Sequence, residues 1–315
     1  LAGSTIPFLP KGTVGLEALR AMAHPEELPL PLERSLPAID SLPGGLKRYV
    51  DELAAVGHGV IMTMGKGGVG KTSVAAAIAF NLAARGFPVI LSTTDPAAHV
   101  SAAAEEGMPG LTVTKIDPAH EVREYTEEVL AKAGKSLDAA GLAMLEEDLR
   151  SPCTEEIAVF RAFARTVDEG KGGFVVLDTA PTGHTILLLD AAEAYHREVE
   201  RTQGDMPESV KELLPRLRDS NFTHVFVVTL PEATPVHEAE RLQNDLRRAG
   251  IEPCAWVINQ SLLASGTHNP VLMERGAYEL PYIETVSRRL SSCCALIPWM
   301  AQQPVGKAGL SALIQ

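Results

Sequence analysis

From about residue 58 the chain alternates short, uniformly apolar runs with longer stretches of helical character. The run at 60–63 predicts a buried strand leading straight into a glycine-rich turn. Residues 72–84 follow as an Ala-rich helix, slim enough to pack closely on a sheet and closed by Gly86. Further strands are predicted at 89–92, 174–177, 224–229 and 254–258, each bounded by Gly, Pro or polar residues. Apolar runs without alternation, separated by helices, predict an α/β fold: a mostly parallel sheet with helices on both faces. The charged run 207–218 reads most simply as a solvated helix.

The first 57 residues break this rhythm. Prolines 7, 10, 25, 29, 31, 37 and 43 punctuate a stretch with one helical piece near 16–23 and a second candidate helix at 46–55. Comparing the chain with itself offers a reason. Ile6-Pro7 and Val14-Gly15 recur as Ile297-Pro298 and Val305-Gly306 at one constant offset; Leu19 falls on Leu310 and Phe8 on Trp299. Residues 1–57 are therefore expected to be the tail of a preceding repeat plus a linker, and 58–315 the complete domain of a tandemly duplicated chain. The absence of Met at position 1 suits a fragment.

Bulk properties narrow the class. A 315-residue chain with 45% apolar and 22% charged residues reads as an ordinary soluble globular protein. Its net charge of −12 argues against a nucleic-acid partner and against direct docking on an anionic membrane. No run of 18 apolar residues predicts a membrane span, and the first residues lack the features of a signal peptide. Cys153, Cys254, Cys293 and Cys294 form no C-x-x-C pair and no zinc-ribbon spacing, which suits a reducing cytoplasm.

The chemistry concentrates after the first strand. Gly65-Lys66-Gly67-Gly68-Val69-Gly70-Lys71-Thr72, with Ser73 next, satisfies the phosphate-loop pattern between a strand and a helix. Its glycines let backbone N–H groups face phosphates, and the helix N-terminus adds a favourable dipole. Lys71 is expected to reach the β- and γ-phosphates of ATP, and Thr72 to ligate Mg²⁺. Lys66 cannot easily reach its own phosphates; in the nucleotide-dimerising P-loop class, with its deviant Walker A loop, this residue acts across the dimer like an arginine finger. Asp178 ends the strand at 174–177, where a carboxylate near the Mg²⁺ shell belongs, and Asp95 follows the strand at 89–92, where a carboxylate orients the attacking water and is expected to join the Mg²⁺ site.

Three segments narrow the class further: Asp178-Thr179-Ala180-Pro181-Thr182-Gly183-His184-Thr185, Thr94-Asp95-Pro96-Ala97, and Ser151-Pro152-Cys153-Thr154-Glu155-Glu156-Ile157. Together with the loop they resemble the arsenical pump-driving ATPases, the ArsA family, over essentially all of 58–315. The resemblance implies two homologous halves, of which this chain carries the second, with the other half or a homodimer partner facing its nucleotide site. It implies that the 178–184 segment links γ-phosphate status to a metalloid site, and that Asn259 contacts adenine. It also implies a cytoplasmic ATPase, held at the inner face of the membrane by an integral-membrane arsenite carrier.

As(III) and Sb(III) are soft ions that take thiolate and imidazole ligands. Cys153 opens a helix after Ser151-Pro152, where the helix terminus favours a thiolate. That helix is expected to bury Ile157, Phe160, Ala164 and Val167. By resemblance Cys153 and His184 are metalloid ligands, with Ser151 a weaker candidate; Cys254, Cys293 and Cys294 are expected to be structural. Two rivals remain, a targeting ATPase for tail-anchored membrane proteins and a non-catalytic nucleotide switch. The first usually has a C-x-x-C and a Met-rich groove; here 125–149 and 201–218 contain only Met144 and Met206.

Overall fold

The computed structural model describes residues 16, 19–20, 42–93, 108–133, 137–179 and 207–314. In chain order the elements are α1 (Lys47–Val56), β1 (Gly59–Met64), α2 (Lys71–Ala84), β2 (Val89–Thr93), β3 (Leu111–Lys115), α3 (Pro118–Ala133), α4 (Ala139–Asp148), α5 (Pro152–Glu169) and β4 (Phe174–Asp178). There follow α6 (Glu208–Lys211), α7 (Leu213–Arg218), β5 (Thr223–Thr229), α8 (Ala233–Arg248), β6 (Ala255–Ser261), α9 (Pro270–Ala277), α10 (Leu280–Thr285) with a π-helical turn at Val286–Leu290, β7 (Cys294–Pro298) and α11 (Gly306–Ala312).

The seven strands form one sheet in the order β3-β2-β4-β1-β5-β6-β7, and every pairing is parallel. The central strands are buried at every position because helices cover both faces: β1 and β4 expose nothing. One face carries α1, α2 and α11 over Ile61, Val176, Phe226 and Val257. The other carries α5, α6, α7 and α8 over Val60, Leu177, Val225 and Trp256. Alanines at 75, 76, 77, 79 and 83 on α2 are buried, so that helix lies close against the sheet.

The five expected strands appear, each within a few residues of its expected limits. Two further strands, β3 and β7, complete the sheet. β3 is a sheet edge whose Thr112, Val113, Thr114 and Lys115 are exposed, so it lacks the apolar run of a covered strand. β7 is short and begins with Cys294 and Ala295. The run at 207–218 is also more than a solvated helix. It forms α6 and α7, and its Val210, Leu213 and Leu217 are buried in the core. Leu46, Tyr49, Val50 and Leu53 belong to the core as well, ahead of the residue 58 at which the sequence pattern changes. Most of the expected helix at 16–23 lies outside the described residues.

Candidate nucleotide site

Every strand points its carboxyl end the same way, and in open parallel sheets ligands bind there, where successive connections diverge. β1 is the central strand: β2 lies two places to one side and β5 immediately on the other. The loop from Gly65 to Gly70 leaves β1 at this point and turns into α2. Two glycines are demanded by their surroundings. Gly65 has φ 153°, and a Cβ there would stand 2.2 Å from the Val228 carbonyl oxygen on β5. Gly70 has φ 90°, and a Cβ there would stand 2.2 Å from the Asn259 Nδ2. The loop thus lies flat on the ends of β5 and β6, with Val69 buried beneath it.

Lys71 is the first residue of α2, and its side chain is buried, its ammonium donating to the Lys66 carbonyl at 3.3 Å across the loop. Lys66 itself is exposed, as are Gly67 and Gly68. The loop therefore holds one lysine inside its own concavity and turns the other outward. Thr72 donates from Oγ1 to Asp178 Oδ2 at 2.7 Å. Asp178 is 1% exposed at the end of β4, in register with Thr63 on β1 and Thr93 on β2. Thr179 anchors the next residue by donating to the Thr63 carbonyl at 2.9 Å. A hydroxyl and a carboxylate meeting at the foot of a phosphate loop are hard oxygen donors, and that set fits Mg²⁺.

Beyond Ser73 the loop borders a cavity of about 300 Å³ lined in part by Asn259, Gln260, Pro298, Trp299 and Gln303. Asn259 sits where β6 carries one residue more than β7 between two paired positions. Its amide donates to the Val69 carbonyl at 2.9 Å, and its Oδ1 accepts from Gln260 N–H at 3.0 Å. Gln260 has the left-handed φ of 59°. Asn259 is thus tied to the phosphate loop as well as facing the cavity. The repeat marks Pro298 and Trp299 but carries no signal of their place beside the loop.

Of the metalloid candidates, Cys153 is exposed and free at the start of α5. Ser151 precedes the helix, but its hydroxyl bonds no backbone N–H and lies 3.3 Å from Thr154 Oγ1. α5 buries Phe160, Ala164 and Val167, with Ile157 half-buried. It is about 27 Å long against about 17 Å for β4. Because α5 leads back into β4, it runs toward the amino end of that strand and its own N-terminus lies toward the strand's carboxyl end. Burial pushes the thiols of Cys254 and Cys294 up to about 12. Asp95 and His184 lie outside the described residues.

The sequence matches the anion-transporting ATPase family over residues 58–206 and 201–314. It is 48% identical over 316 aligned residues to the arsenical pump-driving ATPase of Acidiphilium multivorum, covering 100% of this chain and 54% of that protein. The arsenical pump-driving ATPase of Escherichia coli is 48% identical over 307 residues, covering 97% of this chain and 52% of its own length. The chain therefore spans about half the length of these relatives. The ATPase GET3C of Arabidopsis thaliana is 26% identical over 309 residues, covering 80% of this chain and 79% of the plant protein. The family match takes in the phosphate loop and all seven strands, and the chain belongs to the anion-transporting ATPase family.

Proposed function

We propose that this chain is one ATP-hydrolysing half of an arsenite- and antimonite-stimulated ATPase that drives an integral-membrane metalloid carrier from the cytoplasmic side. The observation that carries the nucleotide part is the 2.7 Å bond between Thr72 and Asp178 at the base of the Gly65–Gly70 loop. Backbone N–H groups of Gly67, Gly68, Val69 and Gly70 cradle the phosphates, and Lys71 neutralises the β- and γ-oxygens. Thr72 and Asp178 hold Mg²⁺, which when bound offsets charge on the phosphate oxygens. Asp95 orients the attacking water and takes its proton. Asn259 places the adenine, with Ser73 at the entrance of the cavity.

The outward Lys66 works on a nucleotide held by a second, facing site. That the chain covers only about half of the pump-driving relatives supports a homologous half within one polypeptide as the facing partner. The similarity to GET3C keeps a homodimer as the alternative arrangement. In this reading the residues ahead of α1 are the tail of the preceding half and its linker, while α1 itself packs in the core of this half. The metalloid activates rather than reacts: Cys153, His184 and the weaker donor Ser151 supply part of a soft site completed by the facing half. Among the described residues no helix is long and apolar enough to cross a membrane, which fits a subunit that relies on a separate carrier.

The test is steady-state ATPase activity of the full-length protein with and without antimonite. Stimulation that disappears in Cys153→Ala is the expected result. No response to antimonite, together with binding and protection of a hydrophobic tail peptide, would replace this reading by the targeting ATPase. ATP binding without turnover would replace it by the nucleotide switch.

A further inference from the structure

A buried carboxylate outside the phosphate loop is bonded to the turn that follows Asn259. Glu279 lies just past α9 and is only 7% exposed. Its Oε2 accepts from the Ser261 hydroxyl at 2.7 Å and from Leu263 N–H at 3.2 Å, and its Oε1 accepts from Leu262 N–H at 2.9 Å. Ser261 in turn accepts from Ala264 N–H at 3.2 Å. One side chain therefore satisfies three donors of the segment that leaves β6.

The approach that makes this reach feasible is itself specific. At Gly276 a Cβ would stand 2.9 Å from Leu263 N and 3.1 Å from its Cα, so only glycine lets the end of α9 lie against this turn. The clamped segment is continuous with the bulge that aims Asn259 at the Val69 carbonyl. It also holds the loop after β7, because Trp299 N–H donates to the Ser261 carbonyl at 2.8 Å. Glu279 and Arg275 line a second cavity of about 250 Å³, which shares Gln260 and Trp299 with the cavity beside the loop. Glu279 thus stands behind the wall of the nucleotide cavity and does not line it.

We propose that Glu279 is a positioning residue for the nucleotide: it fixes the turn after β6, and through it Asn259 and Trp299, in the arrangement that recognises the base. This inference rests on the nucleotide reading of the site above. A carboxylate bonded to two backbone N–H groups and a hydroxyl resists rotation of the turn, whereas an amide would set its own donor against at least one of those N–H groups.

The experiment measures KM and kcat for ATP and for GTP in the full-length chain, in wild type, Glu279→Gln and Ser261→Ala, alongside thermal melts. Glu279→Gln is expected to raise KM for ATP about tenfold with kcat within about twofold, and to lower the preference for ATP over GTP. Ser261→Ala, which removes one of the three bonds, is expected to move both quantities the same way by less. A melting temperature that falls while KM and the ATP-to-GTP preference stay at wild-type values would show a merely structural role and overturn the inference. Wild-type protein that binds neither ATP nor GTP would instead overturn the nucleotide reading itself, and this inference with it.

Discussion

The hydroxyl of Thr72 at the start of α2 and the carboxylate of Asp178 at the end of β4 meet at 2.7 Å, joining the phosphate loop to the neighbouring strand. The bond ties two places that the sequence separates widely. Asp178→Asn keeps the shape and removes the charge, so it is expected to leave the fold intact and to reduce turnover by at least about a hundredfold. The increase in ATP affinity on adding Mg²⁺ should disappear with it. Thr72→Ala strips a partner from a buried carboxylate and should also cost about 1–3 kcal/mol of stability. ATP binding titrations with and without Mg²⁺ check this; a Mg²⁺ response unchanged in Asp178→Asn would remove Asp178 from the metal site.

Gly70 combines a left-handed backbone with a neighbour that leaves no room for a side chain, since a Cβ would stand 2.2 Å from Asn259 Nδ2. Gly70→Ala must therefore move either the loop or Asn259. The strain of a non-glycine residue at this φ is about 1–2 kcal/mol before the clash is counted. Loss of measurable ATP binding is expected, with a drop in melting temperature of at least about 2–4 °C. Wild-type affinity in this variant would mean that the loop does not rest on Asn259 in solution.

The central strands and the loop were legible because burial on both faces leaves an uninterrupted apolar run, and because a phosphate loop admits few residue types at fixed spacing. β3 escaped because an edge strand with exposed Thr112, Thr114 and Lys115 carries no such run. α6 and α7 were obscured by the charges around Val210, Leu213 and Leu217, three apolar positions that reach the core from a polar stretch. The family resemblance points Asn259 at the base, yet its bond to Val69 joins residues 190 positions apart and has no local signature. Glu279 is harder still. A lone Glu beside helices reads as surface, and its burial goes with a close approach at Gly276 that has no local signature.

Lys66 and Lys71 face in opposite senses from one loop, and their variants are expected to separate cleanly. Lys66 is exposed, so Lys66→Ala should cost no more than about 0.5 kcal/mol of stability. If it serves a facing site, ATP affinity should remain while turnover falls about a thousandfold. Lys71 is buried in the loop, and Lys71→Ala is expected to lose both binding and turnover. Mixing Lys66→Ala with a Lys71→Ala protein separates the two arrangements: partial recovery of turnover is the signature of action between separate chains, whereas a facing half in the same polypeptide gives none. Full turnover in Lys66→Ala alone would make it a surface lysine.

Burial pushes the Glu279 carboxyl above the usual glutamate range, outweighing the opposing hydrogen bonds from Ser261, Leu262 and Leu263 and the nearby Arg275 guanidinium. Arg275 is itself paired to Glu232 at 3.1 Å. A carboxyl whose folded value is raised favours the native state most when protonated. Its contribution is fully present below the unfolded value and is lost as pH rises through the folded one. The stability of wild type relative to Glu279→Gln, which does not titrate, is therefore expected to decline from about pH 4 upward and then level off. Paired thermal melts across that range decide it, and a difference that does not vary with pH would contradict the raised value.

Three of the four thiols divide by environment, and that division predicts their reactivity. Cys153 is exposed at the start of α5, whereas Cys254 and Cys294 are held at about 12 by burial. At neutral pH either buried thiol therefore stays almost wholly protonated, and the thiolate is the reactive form. Brief treatment of native protein with a maleimide, followed by peptide mapping, should label Cys153 well before Cys254 and Cys294. If Cys153 is part of the soft-ion site, antimonite should slow its labelling, and the protection should need the facing half of the assembly. Labelling of Cys153 at the same rate with and without antimonite, in protein whose ATPase antimonite stimulates, would move the metalloid site elsewhere.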